Sequence, residues 1–289
     1  MPPRLCRGRE MRIDAHQHFW SITRGDYGWL TPDKGVLWRD YLPHDLAPLM
    51  GKAGIDRTLL VQAAPTEAET RFLLEIAHQT PFVAGVVGWA DFTAPDAPAR
   101  IAALAADPLL IGLRPMVQDI AEDGWIARAD LAPALHALQA QGLVFDALVL
   151  PRHLGPLGVM LDRHPDLTVV VDHAAKPHIA AQDFDPWRAN IAAIAARPNT
   201  FCKFSGLVTE AAPGWTMRDL EPVVAHLLAT FGPERLIWGS DWPVVTLAAD
   251  YATWHAAADA LLAECSPGER AAIFGATAAR VYLGTRGRR

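Results

Sequence analysis

The 289-residue sequence is short of cysteine, of positive charge and of long apolar runs, and each shortage excludes something. Its three cysteines, Cys6, Cys202 and Cys265, are odd in number, far apart and in no Cys-x-x-Cys pattern, so neither a disulfide framework nor a zinc–thiolate site is expected. A net charge of −6 with no basic stripe argues against nucleic acid as a partner. No apolar run reaches the roughly 18 residues of a membrane span. No Gly-x-Gly-x-x-Gly loop follows a strand-like run, which removes the signature of a dinucleotide fold. Linkers and low-complexity stretches are missing too, so one domain is expected over residues 11–289. Residues 1–10 carry four charged side chains and no hydrophobic core; they read as a poorly ordered extension ahead of Met11, not as a secretory signal. What is left is a cytoplasmic enzyme without nucleic-acid or membrane partners, its oligomeric state unspecified.

What the chain does have is rhythm. Short β-branched apolar runs occur at residues 11–18, 58–63, 82–89, 110–116, 144–150, 168–172, 200–205 and 236–239. They are nearly continuous in apolar character, the pattern of parallel strands buried on both faces. Amphipathic stretches alternate with them, at residues 66–79, 99–106, 127–141, 183–196, 217–231 and 247–263. Thr66-Glu67-Ala68-Glu69 is a capping-box pattern, and Ser266-Pro267-Gly268-Glu269 opens a last helix. About eight strand–helix repeats in this length predict an α/β fold, a (β/α)8 TIM barrel. A doubly wound sheet is the alternative, with fewer strands. Residues 20–56 are long for a first connection and read as a lid or pocket wall.

In such a barrel the chemistry sits at the C-terminal strand ends. Those ends carry His16 and His18, Gln62, Asp91, Arg114, Asp146, Asp172 and His173, Lys176, Lys203 and Ser205, then Ser240 and Asp241. As a strand, Asp14, His16 and His18 alternate onto one face, where polar groups need partners, a ligand or a task. Asp146 and Asp172 have a bland reading as caps or loop holders, Lys203 as an ion-pair partner inside the barrel, and His153 as the opening of a helix. Asp241 is different: Trp238-Gly239-Ser240-Asp241-Trp242-Pro243 passes from apolar strand into a Pro-limited turn, which aims the carboxylate into the mouth. Four of the ten tryptophans, Trp20, Trp29, Trp89 and Trp242, fall near strand ends and read as pocket walls.

His-x-His on strand one, His on strand six and Asp on strand eight resemble the amidohydrolase superfamily. Seven ordered blocks look like its sugar-lactonase group, which holds L-fuconolactonase-like and L-rhamnonolactonase-like proteins and is related to 2-pyrone-4,6-dicarboxylate lactonases. They are Asp14–Trp20, Val61–Thr66, Gly112–Pro115, Pro151–His153, Val171–Pro177, Lys203–Leu207 and Trp238–Pro243. The resemblance implies a hydrolase opening a sugar lactone. It departs from metal-bridging members at strand four, which offers Arg114, a permanent cation, and at strand five, whose tip has no His. A binuclear centre is therefore not expected. One zinc on His16, His18 and Asp241, with His173 near, stays open, while the resemblance implies a reaction that requires no metal.

The expected chemistry follows from the residue types. Asp241 serves as general base, His16, His18, His173 and Arg114 polarise the carbonyl, and Lys176 and Gln62 contact hydroxyls. Trp20, Trp29 and Trp242 offer apolar faces to the sugar ring. The rivals are a pyrone or other carboxylated-lactone hydrolase, a metal-dependent amidohydrolase or decarboxylase, and a barrel that binds carbohydrate without turnover. A dicarboxylate would need several cations, and the mouth offers mainly Arg114, Lys176 and Arg152.

Overall fold

A computed structural model describes residues 10–284; residues 1–9 of the expected extension, with Cys6, lie outside the described residues. The strands are β1 (Ile13–Gln17), β2 (Arg57–Val61), β3 (Val83–Gly88), β4 (Leu110–Leu113), β5 (Val144–Ala147), β6 (Val169–Val171), β7 (Thr200–Phe204) and β8 (Leu236–Trp238). They pair in chain order and all in parallel. Just beyond β8 the chain rejoins β1: Asp241 N donates to His16 O at 2.8 Å and His18 N to Trp242 O at 2.7 Å. Gly239 permits that junction, because a Cβ there would sit 2.6 Å from the Cβ of His16. The result is the expected single-domain (β/α)8 barrel.

The outer layer is α1 (Pro43–Ala53), α2 (Glu67–Gln79), α3 (Ala97–Ala105), α4 (Ala132–Ala140), α5 (Leu154–Arg163), α6 (Trp187–Ala195), α7 (Met217–Phe231) and α8 (Tyr251–Leu261). Their starts follow local chemistry. Thr66 Oγ1 accepts from Glu69 N at 3.0 Å, and Asp250 Oδ1 accepts from Thr253 N at 2.6 Å, so α8 begins later than the expected residue 247. The helix expected from 127 is preceded by two short 3₁₀ turns and begins at Ala132, with Pro133 in its first turn. Among the described residues no helix is long and apolar enough to cross a membrane.

Two departures matter for the site. Of the segment expected as a lid, residues 43–53 form an ordinary outer helix packed toward α8, and only the part before it lies over the mouth, tied by the Trp20–Tyr41 bridge. At the opposite end, α9 (Pro267–Ala271) continues in wide π-type turns to Leu283. Ala278, Val281 and Tyr282 from this stretch pack with Ile13, Leu59 and Val87 and close the barrel floor. No strand pattern announces that plug.

Candidate active site

The mouth is built on an irregularity in β1. Ile13 and Ala15 belong to the interior apolar cluster, whereas Asp14 points outward, accepting from Ser240 N at 2.8 Å and from the Tyr251 hydroxyl at 3.0 Å. The pairing of β1 with β2 shifts register between Asp14 and Gln17, so His16 turns inward directly after Ala15. The expected single face for Asp14, His16 and His18 is thereby broken. Burial raises the Asp14 carboxyl to about 6, and its role is to lock β1 to β8 and α8.

His16, His18 and His173 converge on one oxygen. Asp241 Oδ1 lies 3.3 Å from His18 Nε2, 3.7 Å from His16 Nε2 and 3.9 Å from His173 Nε2. Hydrogen-bond partners assign two of the rings. His18 Nδ1 is 2.8 Å from the Val61 carbonyl, which can only accept, so Nδ1 carries the proton. Arg114 Nη1 is 3.3 Å from His16 Nε2 and can only donate, so His16 keeps its lone pair on Nε2. Its Nδ1 faces Asp172 Oδ1 at 3.6 Å. In the neutral rings, two imidazole lone pairs and a carboxylate oxygen therefore point into one space.

The electrostatics agree. Burial, with the Lys203 charge next, holds His16 well below its ordinary value, and burial lowers His173 to about 4, so both rings are neutral near pH 7. Burial raises the Asp241 carboxyl, and the imidazoles around it, His173 first, outweigh burial and hold it well below the usual carboxylate range. That lowering belongs to the form of the cluster in which a ring Nε2 carries a proton shared with the carboxylate. Behind this cluster the charges are matched. Asp172 receives Arg114 Nη1 at 3.1 Å and Lys203 Nζ at 3.1 Å, and Asp146 takes the same Lys203 ammonium and the Tyr282 hydroxyl. Asp241, by contrast, makes its close contacts with the three imidazoles and, among the described residues, no ion pair with Lys or Arg. A divalent ion fits that donor set: Nε2 of His16 and His18 with Oδ1 of Asp241 is an N/N/O group whose atoms all lie within 4.8 Å of one another.

The backbone around His173 is strained into place. His173, Ala174, Ala175 and Lys176 all have φ between 51° and 59°, and Asp241 has φ 58°. Each such non-glycine residue costs roughly 1–2 kcal/mol, a strain that tends to persist at functional sites. The Trp187 indole donates to Ala174 O at 2.8 Å, and Ser205 Oγ lies 2.9 Å from His173 Nδ1. Gly206, φ 64°, passes so close that a Cβ would meet His173 Nδ1 at 2.5 Å.

A cavity of about 200 Å³ opens onto this cluster, lined by His18, Arg114, His173, Lys176 and Asp241 with Trp29, Met116, Gln118, Asp119 and Leu148. Several expected contacts are placed elsewhere. Gln62 is fully buried and its amide oxygen accepts from Arg114 at 2.9 Å, so it orients the guanidinium instead of reading a hydroxyl. Trp20 is fully buried behind His18 and Trp29, donating to Arg39 O, and Trp242 packs on Phe19 and Tyr41. Of the three tryptophans expected to face a sugar, Trp29 lines the cavity. Arg152 pairs with Asp123 on the surface, His153 Nδ1 accepts from Leu150 N, and Asp91 holds Thr93. Asp146 and Asp172 cap no helix. Gln118 was not singled out from the sequence; it sits in a 3₁₀ turn after β4, with its buried Oε1 unpartnered, and nothing in the local pattern marks it.

The fold and this cluster define a barrel hydrolase whose mouth holds a donor set that a divalent ion fits. The chain belongs to the amidohydrolase family, whose sequence model matches residues 13–283. It is 47% identical over 278 residues to an L-fucono-1,5-lactonase of Burkholderia ambifaria, covering 94% of this chain and 95% of that protein. A second L-fucono-1,5-lactonase, from Burkholderia multivorans, is 41% identical over 286 residues, covering 94% and 96%. A crystal structure of a Burkholderia multivorans amidohydrolase with bound zinc superposes with a TM-score of 0.89 at 40% identity, over 94% of this chain and 99% of that one.

Proposed function

We propose that this enzyme hydrolyses a sugar lactone of the L-fuconolactone or L-rhamnonolactone kind to the aldonic acid. The observation that carries the reading is the Asp241 carboxylate, ionised and ringed by three imidazoles beside a fixed guanidinium. Likeness to two lactonases supports the reaction class. In the proposed reaction Asp241 takes a proton from the attacking water and later delivers it to the ring oxygen. A carboxylate held this low is a weak base, but a lactone carbonyl is a far better electrophile than an amide, so modest base strength suffices. The Arg114 guanidinium, its N–H groups held by Gln62, His16 and Asp172, stabilises the tetrahedral oxyanion through its charge, and His173 donates an N–H, a donor typically worth about 3–4 kcal/mol. Lys176 reaches a ring hydroxyl, and Trp29 gives the ring an apolar face.

A zinc ion bound by His16, His18 and Asp241 would supply Lewis acidity in the same space. We read the reaction as independent of it, because Arg114 already provides a fixed cation beside His16. A pyrone dicarboxylate is disfavoured, since Arg114 and Lys176 are the Arg and Lys residues that line the cavity. The test is a panel of aldonolactones followed with a pH indicator, with and without exhaustive chelation. Acid release from an L-configured lactone that survives chelation supports the reading. Silence across the panel removes the lactonase, and chelator-sensitive activity restored by zinc removes the metal-independent route.

A further inference from the structure

A second, larger cavity adjoins the catalytic one. Its volume is about 560 Å³ against about 200 Å³, and Trp29, Met116 and Asp119 line both. A monocyclic lactone with its carbonyl at Asp241 lies in the smaller space. The chamber is left to whatever that lactone carries.

We propose that the chamber is a subsite for a neutral glycosyl group attached to the lactone ring, so that the enzyme's substrate class extends to lactones of oligosaccharides. The proposal rests on the lactonase reading and deepens it. The walls have sugar-binding chemistry: the half-buried indoles of Trp29 and Trp89 offer apolar platforms to a pyranose, and buried Phe92 and Trp125 complete the aromatic lining. Trp29 is a fixed wall, since its indole N–H donates to Ala63 O at 2.7 Å. Polar capacity is waiting beside these faces. Asp26 uses Oδ2 to accept from Arg24 and Thr66, while its buried Oδ1 has no partner. The Asp119 carboxylate, at the boundary of the two cavities, takes no proton donor among the described residues. Such free acceptors match sugar hydroxyls, which are donors. Three carboxylates and no Lys, Arg or His line the chamber, so an acidic extension is rejected.

The experiment compares the best monocyclic lactone with derivatives bearing a glucosyl or a glucuronosyl group on each ring hydroxyl, assayed side by side on the full chain. Binding energy from the remote ring should raise kcat/KM by about tenfold for at least one glucosyl isomer and for no glucuronosyl one. Ile120 and Trp89 line only the chamber, so Ile120→Trp, which fills it, and Trp89→Ala, which removes a platform, should each erase that gain. Both should leave the parent lactone within about twofold of wild type. Turnover of the parent with no glucosyl isomer above it, or equal losses on parent and derivative, overturns the subsite. Failure of every parent lactone overturns the lactonase reading instead. The chamber is then judged by titrating methyl glycosides against tryptophan fluorescence: a saturable change abolished by Ile120→Trp upholds it, and no change refutes it.

Discussion

Two groups of buried carboxylates share the barrel interior, and they are satisfied very differently. Asp146 and Asp172, below the mouth, are held by Lys203, Arg114 and the Tyr282 hydroxyl. Asp241, at the mouth, faces three imidazoles, two of which are neutral near pH 7. A charge that is paired with cations is inert and holds structure. A charge left with lone pairs and dipoles keeps its capacity to react, and it sits where backbone strain is also concentrated.

The largest expected effect comes from removing the reactive member. Asp241→Asn should lower kcat/KM on the order of 10³-fold. Its thermal midpoint should fall at pH 7, because a carboxyl held below its ordinary range is favoured in its ionised form by the fold, and the substitution removes that stabilisation. A folded Asp241→Asn enzyme with near-normal turnover would remove the proposed base.

Lys203→Met reverses the pattern. Two carboxylates lose a shared cation, and breaking such a buried pair costs about 3–5 kcal/mol. Urea unfolding should show that loss, a large share of the roughly 5–15 kcal/mol that holds a typical domain together. If stability hardly moved, the division into a structural and a reactive group would fail.

Legibility from sequence divides along the same line. The strands were readable because Val, Ile and Leu runs buried on both faces have few other uses, and His16, His18, His173 and Asp241 were readable because each ends such a run. The inverse face of Asp14 was not, since a register shift in β1 arises from pairing with β2 and leaves no mark on local composition. Gln62 looked like a ligand contact because its partner, Arg114, is 52 residues away. Tyr282 lies well beyond the Ser266–Glu269 start that marked a last helix, and only the closed barrel shows that its hydroxyl reaches Asp146. The aromatic chamber is assembled from loops after several strands, whose geometry no periodicity encodes.

Glu69 is a buried carboxylate of a third kind, and it sharpens the contrast through pH. It accepts from the backbone N–H groups of Ala63 and Ala64, which only partly offset burial, and its pKa rises from 4.5 to about 7. The folded state thus binds this proton more tightly than the unfolded chain. Stability from this group is full at low pH, declines as pH rises from about 4.5 to about 7, and is level above. The contribution is about 3 kcal/mol at most. Glu69→Gln should flatten that part of the stability–pH curve in urea titrations at pH 5 and pH 8. A curve as steep as wild type would show that the carboxylate is stabilised by its N–H donors as well in the fold as by water outside it.

The smallest expected effect tests whether the two interior groups are independent. Tyr282→Phe removes one hydroxyl, donated to Asp146 at 2.7 Å, while Lys203 stays in place. A hydrogen bond to a charged group is worth about 1.5–3 kcal/mol, and the remaining ion pair should keep the loss near the lower figure. Asp146 is separated from the mouth by Lys203 and then Asp172, and Asp172 already holds Arg114. A change at the floor therefore reaches His16 only by moving an ion pair fixed from both sides. Unfolding should register the substitution while kcat/KM and its pH profile do not. If turnover fell with stability intact, the floor plug would be tuning the mouth, and the paired carboxylates could no longer be called inert.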